Sequence, residues 1–409
     1  MSAAWLAAAW ALVGVVAALS PRHLRRPVAL IAPLVLVALS LLTAKGGTPP
    51  DPLGGGGLSL PREGAGLLSA SPAAFWLCLL LAERLDGREL LGIGMVGGAT
   101  VLLLSTGSAL LFGIAALLAV AALSLRWIAV APGRATLAAG RVAGTGAAAL
   151  VAASLLLPSV SPESQPGMVG GLLVVGVLAL AAVVPLGGWA SGALAELGAS
   201  DFGAWLVLLA PAVLLSAFAI PGKLPVLASL AFDHTILTCG LIGAVWAGLM
   251  SLRAGPATRY GRVAIGDLAL IAAGVGTGEA AALGGALVLV LTHLVAAPVL
   301  LQTPRPGLGP PRRAVWLAVC GLPPSPAFWG RFLILEACVA FNGTVAAASL
   351  VASGLITVAA VVTVARGEPA TGTRAPHHRI AAAWAFALLG LVVGVLPMGA
   401  VHLVFGPGA

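Results

Sequence analysis

The stretch that decides the fold is GLPPSPAFWGRF, residues 321–332, in which prolines occupy three of the four positions 323–326. Proline has no backbone N–H, and its ring clashes with the preceding helical turn, so this cluster breaks any helix that contains it. The stretch lies within an apolar run, and backbone groups freed at membrane depth must be covered by protein or by a water-filled cavity. The sequence therefore predicts a broken transmembrane helix at Pro323, Pro324 and Pro326.

The composition places the whole chain in a membrane. Of the 409 residues, 60% are hydrophobic and only 8% are charged, and the mean hydropathy is +1.09. Soluble domains carry about 25% charged residues. We predict an all-α integral membrane protein, a single transmembrane domain over residues 1–409 with about fourteen spans. The predicted spans are 3–20, 27–44, 70–83, 89–105, 108–126, 135–157, 168–187, 202–220, 231–252, 263–278, 281–301, 313–338, 344–365 and 380–404.

The basic residues segregate between alternate loops, as expected of topology determinants. If the N-terminus is outside, 17 of the 21 basic residues fall in the inside loops or at the helix ends beside them. These are Arg22, Arg25, Arg26, Arg84, Arg88, Arg126, Arg134, Arg141, Arg253, Arg259, Arg262, Arg305, Arg312, Arg313, Arg366, Arg374 and Arg379. Lys45, Arg62 and Lys223 fall outside, and Arg331 alone lies within a span. The pattern predicts an even number of helices with both termini outside.

Several classes of function are disfavoured by the same composition. The net charge of +8 is spread over short loops without interleaved aromatic residues, so no nucleic-acid partner is expected. The four cysteines, Cys78, Cys239, Cys320 and Cys338, form no C-x-x-C pair, so neither a metal nor a cluster site is predicted. No nucleotide loop, haem ligand pair or activated nucleophile is present. We therefore predict no cofactor and no catalytic residue in this chain.

Four segments resemble one family of membrane proteins. Residues 321–332 are similar to GLPPxPGFWGKF, a signature of the antiporter-like subunits of respiratory complex I (NADH-quinone oxidoreductase), multi-subunit cation/proton antiporters and membrane-bound hydrogenases. Residues 184–189, VPLGGW, resemble the family's PLHxW segment after another broken helix, here at Pro185. Residues 258–270 and 291–298 resemble its KRLLAYSSISHLG and LLNHALAKA segments. The resemblance implies an antiporter-like fold with breaks near 180–190 and 320–330, peripheral helices at 1–130, a core at 131–340 and C-terminal helices at 341–409.

The resemblance also implies a buried axis of glutamate and lysine, and this chain departs from it. The expected ionisable positions correspond to Ala116, Leu180, Ala210 or Pro211, and Ala297, while Gly187 replaces a histidine. The only two lysines are Lys45 and Lys223, both in predicted outer loops. Arg331 replaces the lysine of FWGKF, and arginine is a poor proton relay because it stays protonated.

The remaining candidates for proton-path or buried polar residues are few. Asp267 and His293 are interpreted either as a residual proton path or as a structural pair. Arg331 and Glu336 are expected to form a structural ion pair or to contact a partner subunit. Asp233 and His234, with Glu279, are expected at the membrane interface.

Three functional hypotheses follow. The first is a membrane-arm subunit of a complex-I-like or hydrogenase-like redox-driven proton-pumping assembly, non-catalytic itself, with a degenerate proton channel and other membrane subunits as partners. The second is a working proton or cation antiporter subunit that uses Asp267, His293 and Glu336. The third is an unrelated polytopic carrier. An Ala-, Gly- and Arg-rich composition indicates a prokaryote, so the predicted location is the cytoplasmic (inner) membrane.

Overall fold

The computed structural model describes residues 3–44, 87–105, 109–131, 133–157, 166–197, 199–220, 224–302, 305–370 and 372–405. Within these ranges the chain is helical and contains no β-strand. The predicted span at 70–83 lies outside the described residues.

The helices follow one another with short connections, as the alternation of apolar runs and polar turns predicts. In chain order they are α1 (Ala3–Leu19), α2 (Arg22–Ala44), α3 (Gly87–Ser105), α4 (Ala109–Val130), α5 (Arg134–Leu156), α6 (Pro166–Leu180), α7 (Gly188–Glu196), α8 (Ala199–Ala204), a π-helical turn (Trp205–Leu209), α9 (Ala210–Ala217), α10 (Val226–Arg253), α11 (Pro256–Val275), α12 (Ala280–Leu300), α13 (Gly309–Val319), α14 (Pro326–Phe341), α15 (Gly343–Arg366), α16 (His377–Val395) and α17 (Pro397–Phe405).

The described helices make the chain a multi-pass membrane protein, but the expected count of about fourteen spans is not confirmed. Six are long and apolar enough to cross a membrane alone, and four apolar helices are shorter. The six lie at 110–129, 134–156, 226–253, 280–300, 343–366 and 377–395. Helix length alone does not count the spans, because several predicted spans are interrupted. The predicted spans 313–338 and 380–404 each contain the end of one helix and the start of the next, and the predicted span 168–187 contains the end of α6.

The first interruption lies between α6 and α7. Helix α6 ends at Leu180, residues 181–187 form turns, and the Val184–Pro185 peptide bond is cis. Ala182 adopts a positive φ of 55°, and Gly187 lies so close to the Ala182 carbonyl that a Cβ there would overlap its oxygen. The chain therefore needs glycine at position 187, where the signature that residues 184–189 resemble has histidine.

The second interruption lies between α13 and α14, at the proline cluster. Helix α13 ends at Val319 and α14 begins at Pro326. Proline is tolerated at the first position of a helix because the N–H it lacks would have no acceptor within the helix. The Ser325 hydroxyl caps α14 by accepting from the backbone N–H of Phe328 at 3.2 Å. The predicted break is confirmed at the residues that the sequence singled out.

Small residues allow the helices to approach closely. Close van der Waals packing holds membrane helices together, because burying an apolar side chain against another helix instead of lipid gains no hydrophobic free energy. Where α1 crosses α3, a Cβ on Gly94 would lie 2.6 Å from the Cα of Gly14. At the centre, α12 is buried along nearly its whole length and contacts α11, α13, α14 and α16. Polar side chains on α11, α12 and α14 are therefore brought together inside the protein.

Candidate functional site

A bidentate ion pair lies at the centre of the bundle. Asp267 on α11 is fully buried, and Arg331 on α14 is 4% exposed. The Arg331 guanidinium donates from Nε to Asp267 Oδ1 at 2.8 Å and from Nη2 to Oδ2 at 3.0 Å. Two parallel charge-assisted hydrogen bonds fix both the distance and the orientation of the pair.

His293 on α12 extends this pair into a chain of polar groups. Its Nε2 lies 3.1 Å from Asp267 Oδ2, and its Nδ1 lies 3.1 Å from the Tyr260 hydroxyl. A neutral ring satisfies both contacts by donating from Nε2 to the carboxylate and accepting from the hydroxyl. A protonated ring would donate at both nitrogens, so the imidazole fits either charge state in the same position.

The second helix break supplies the remaining contacts of Arg331. Its Nη2 donates to the carbonyl of Val319, the last residue of α13, at 3.2 Å, and Nη1 donates to Thr357 Oγ1 at 3.0 Å. Gly321 has a φ of +73°, and a Cβ there would overlap Arg331 Nη1. The glycine of the GLPP motif thus leaves the space that the arginine fills.

The two charges of the central ion pair are balanced within the site. The guanidinium and the carboxylate neutralise each other, and arginine does not release its proton at physiological pH. Breaking a buried pair by removing one member costs about 3–5 kcal/mol, because the other charge is left uncompensated. Of the four groups, only the imidazole of His293 and the hydroxyl of Tyr260 could exchange a proton without breaking the ion pair.

The first break contains no such charge. Its freed carbonyls are covered by two buried indoles: Trp205 Nε1 donates to Leu180 O at 2.8 Å, and Trp189 Nε1 donates to Ala179 O at 3.2 Å. Trp127 packs on Trp189 with ring centroids 5.7 Å apart. Tryptophan thus occupies the hydrogen-bonding positions that water or an ionisable side chain would need.

The positions where the resemblance expects ionisable groups are apolar and packed. Ala116, Leu180, Ala210 and Ala297 are each at most 2% exposed. Pro211 is also buried. These residues belong to the hydrophobic core or lie directly beside it. No replacement charge is found at them.

The other predicted site residues lie apart from the ion pair. Asp233 on α10 is half-buried and accepts from the Ser229 hydroxyl at 3.2 Å, while the exposed His234 contacts its own helix at Leu230 O. Glu336 is exposed on α14, and the exposed Glu279 precedes α12.

The ion pair expected between Arg331 and Glu336 does not form. Arg331 pairs with Asp267 instead, because the buried face of α14 turns the guanidinium toward α11. Asp233, His234 and Glu336 share no hydrogen bond or ion pair with the central cluster in the described part of the chain.

A second buried ion pair was missed by the sequence analysis. Arg312 on α13 is 3% exposed and pairs with Glu368, which also accepts from Trp316 Nε1 at 3.1 Å. The same guanidinium donates to the carbonyls of Val299, Leu300 and Gln302, the last turn of α12 and the residues after it. The sequence does show Arg312 as a basic residue, and basic side chains can donate to the last carbonyls of a helix. Nothing in the sequence indicates that the helix concerned is α12.

Metal ligation has no basis in the part of the chain that the structure describes. No group of three or more His, Cys, Asp or Glu side chains in these ranges is placed to hold an ion. Asp267 and His293 form a pair whose remaining contacts are taken by Arg331 and Tyr260.

The structure is similar to chains of several multi-subunit membrane complexes. One chain of the archaeal membrane-bound sulfane sulfur reductase, a respiratory membrane complex, matches with a TM-score of 0.80 and 17% identity over 99% of this chain and 96% of that one. A chain of respiratory complex I from Thermus thermophilus matches with a TM-score of 0.78 and 22% identity over the full length of both. A chain of the Mrp complex from Dietzia sp. matches with a TM-score of 0.84 and 15% identity over 98% of this chain and 51% of that one.

No protein-family model matches the sequence, and no curated protein matches it. The structural likeness nevertheless extends over 98–100% of the chain. It is therefore not confined to the helix breaks, which disfavours the hypothesis of an unrelated carrier. The antiporter-like fold predicted from the four motifs is confirmed.

Proposed function

We propose that the chain is a membrane-arm, antiporter-like subunit of a redox-driven, proton-pumping assembly of the complex I or membrane-bound hydrogenase type. The observation that carries the proposal is the likeness of fold along the whole chain to chains of two respiratory membrane complexes. The subunit itself contributes no redox chemistry, so any electron-carrying cofactor belongs to a partner. Its role is to space and seal the membrane arm and to couple neighbouring subunits.

The proposal includes the loss of the subunit's own central proton channel. Two features support this loss: Arg331 is held by Asp267 and cannot relay a proton, and the indoles of Trp189 and Trp205 cover the first break. A channel through the fold would require exchangeable groups in both places. The sequence and the packing both lack them at the first break.

The proposed setting is the cytoplasmic membrane of a prokaryote, with both termini outside. The segregation of arginines between alternate loops supports this orientation. The partners would be other membrane subunits of the same assembly, together with the surrounding lipid.

Purification from the native membrane in a mild detergent tests the proposed role. A tagged chain should copurify with further membrane subunits and with iron–sulfur or hydrogenase-type proteins, identified by mass spectrometry. A chain that purifies alone, or with antiporter subunits only, contradicts the redox assembly.

His293→Ala separates the proposal from an antiporter that conducts through this chain. We expect the assembly that carries His293→Ala to pump protons at the wild-type rate, because the imidazole is not part of an obligatory path. Proton uptake into reconstituted vesicles, followed with a pH-sensitive dye, measures the rate. His234→Ala is the matched control, because it removes the same side chain from an exposed position outside the central cluster. A loss of pumping in His293→Ala alone would favour the antiporter hypothesis.

A further inference from the structure

Helix α14 has two faces of opposite character. Its buried face carries Arg331 and the small residues that contact α12. The other face is a stripe formed by Trp329, Phe332, Glu336 and Val339, all of them exposed. The spacing of three, four and three residues places them along one side of the helix. We call this stripe the α14 outer face.

Glu336 is out of place on such a face if only lipid covers it. It makes no hydrogen bond or ion pair within the described residues. It lies five residues before the end of α14 at Phe341, a distance of about 7.5 Å along the axis. Side chains on a helix tilt toward its N-terminus, so the carboxylate tilts toward the proline break, away from the nearer end of the helix. Ionisable groups inside membrane spans cost a few kcal/mol when unpaired.

The aromatic residues of the α14 outer face make contacts within the protein. Trp329 Nε1 donates to Gly394 O on α16 at 3.1 Å. Phe332 stacks on Phe328 with centroids 5.9 Å apart and an interplanar angle of 20°. Aromatic side chains that already make such contacts lose less conformational entropy on binding than free ones, which favours this face as a contact surface.

We propose that the α14 outer face docks a transmembrane helix of a neighbouring subunit, and that this helix carries a lysine or arginine opposite Glu336. Charge complementarity selects the partner: the carboxylate has no cationic partner among the described residues, and a basic side chain on an apolar helix supplies one. The apolar groups Phe332 and Val339 pack against the same helix. The inference rests on the proposed function in that it names the surface through which the subunit joins its assembly.

The test combines substitution with crosslinking in the complete chain. A photo-crosslinking amino acid at position 339 should join the chain to a peptide of another subunit's transmembrane helix that contains lysine or arginine. Glu336→Gln should weaken retention of that subunit at least about tenfold in detergent titration, and Glu336→Arg should abolish it. Glu279→Gln, at another exposed glutamate, should leave it unchanged. Thermal melting of Glu336→Gln in detergent should match the wild type, because the carboxylate has no polar partner within the described residues.

The outcomes distinguish the two proposals. Crosslinks only to lipid, crosslinks to a second copy of this chain, or full retention in Glu336→Arg overturn the docking surface while the assembly itself stands. A basic membrane helix crosslinked at position 339 without any redox partner in the preparation upholds the surface and contradicts the redox assembly. A chain that purifies alone contradicts both.

Discussion

Arg331→Met is expected to destabilise the protein by about 3–5 kcal/mol, since it leaves the Asp267 carboxylate buried without its cation. Asp267 is fully buried, so solvent cannot replace the lost guanidinium. The free energy of unfolding, measured by denaturant titration in detergent micelles, gives the effect directly.

The double variant Arg331→Met with Asp267→Leu is the decisive control. Both charges are then absent, and a buried ion pair replaced by apolar side chains of similar volume is often neutral in stability. We expect the double variant to recover most of the loss. A double variant as unstable as Arg331→Met would mean that the shape of the arginine, and not its charge, holds α11 to α14.

Arg312→Met is the second large expected effect, of about 3–5 kcal/mol by the same reasoning. The substitution leaves Glu368 without its cation. It also removes the donor to the carbonyls of Val299 and Leu300 in the last turn of α12 and of Gln302 just after it. The same detergent titration measures it.

Arg313→Met provides a matched control for Arg312→Met, because the two arginines are adjacent in sequence and differ in burial. Arg313 is exposed, whereas Arg312 is 3% exposed. Exposed substitutions of this kind usually change stability little, so no measurable loss is expected. Equal losses in the two variants would contradict the assignment of Arg312 as the residue that ties α13 to α12.

The break at the proline cluster could be predicted from the sequence because proline acts locally, whereas the break near Pro185 was predicted only through the resemblance to a family signature. Three prolines in four positions remove several helix hydrogen bonds at once, and the structure has the break there. A single proline, such as Pro298, lies inside the continuous helix α12. Asp267 and His293 were recognisable as unusual groups in apolar spans for a similar reason. These features follow from a residue and its immediate neighbours.

The pairing of the charges could not be predicted in this way. Arg331 and Glu336 are five residues apart, which separates them by about 140° around an α-helix, so one lies buried and the other exposed. The true partner of Arg331 is Asp267, 64 residues away. The indole caps of Trp189 and Trp205 depend in the same way on tertiary packing that no local pattern encodes.

The close packing around the first break also makes a central charge costly to introduce by a single substitution. Leu180→Lys would place an ammonium at a fully buried position, and an unpaired charge there carries a penalty of several kcal/mol. Ala116→Glu meets the same barrier, because that position is equally buried. In this packing a charge at either position would be buried and unpaired, so neither could be introduced alone without a loss of stability.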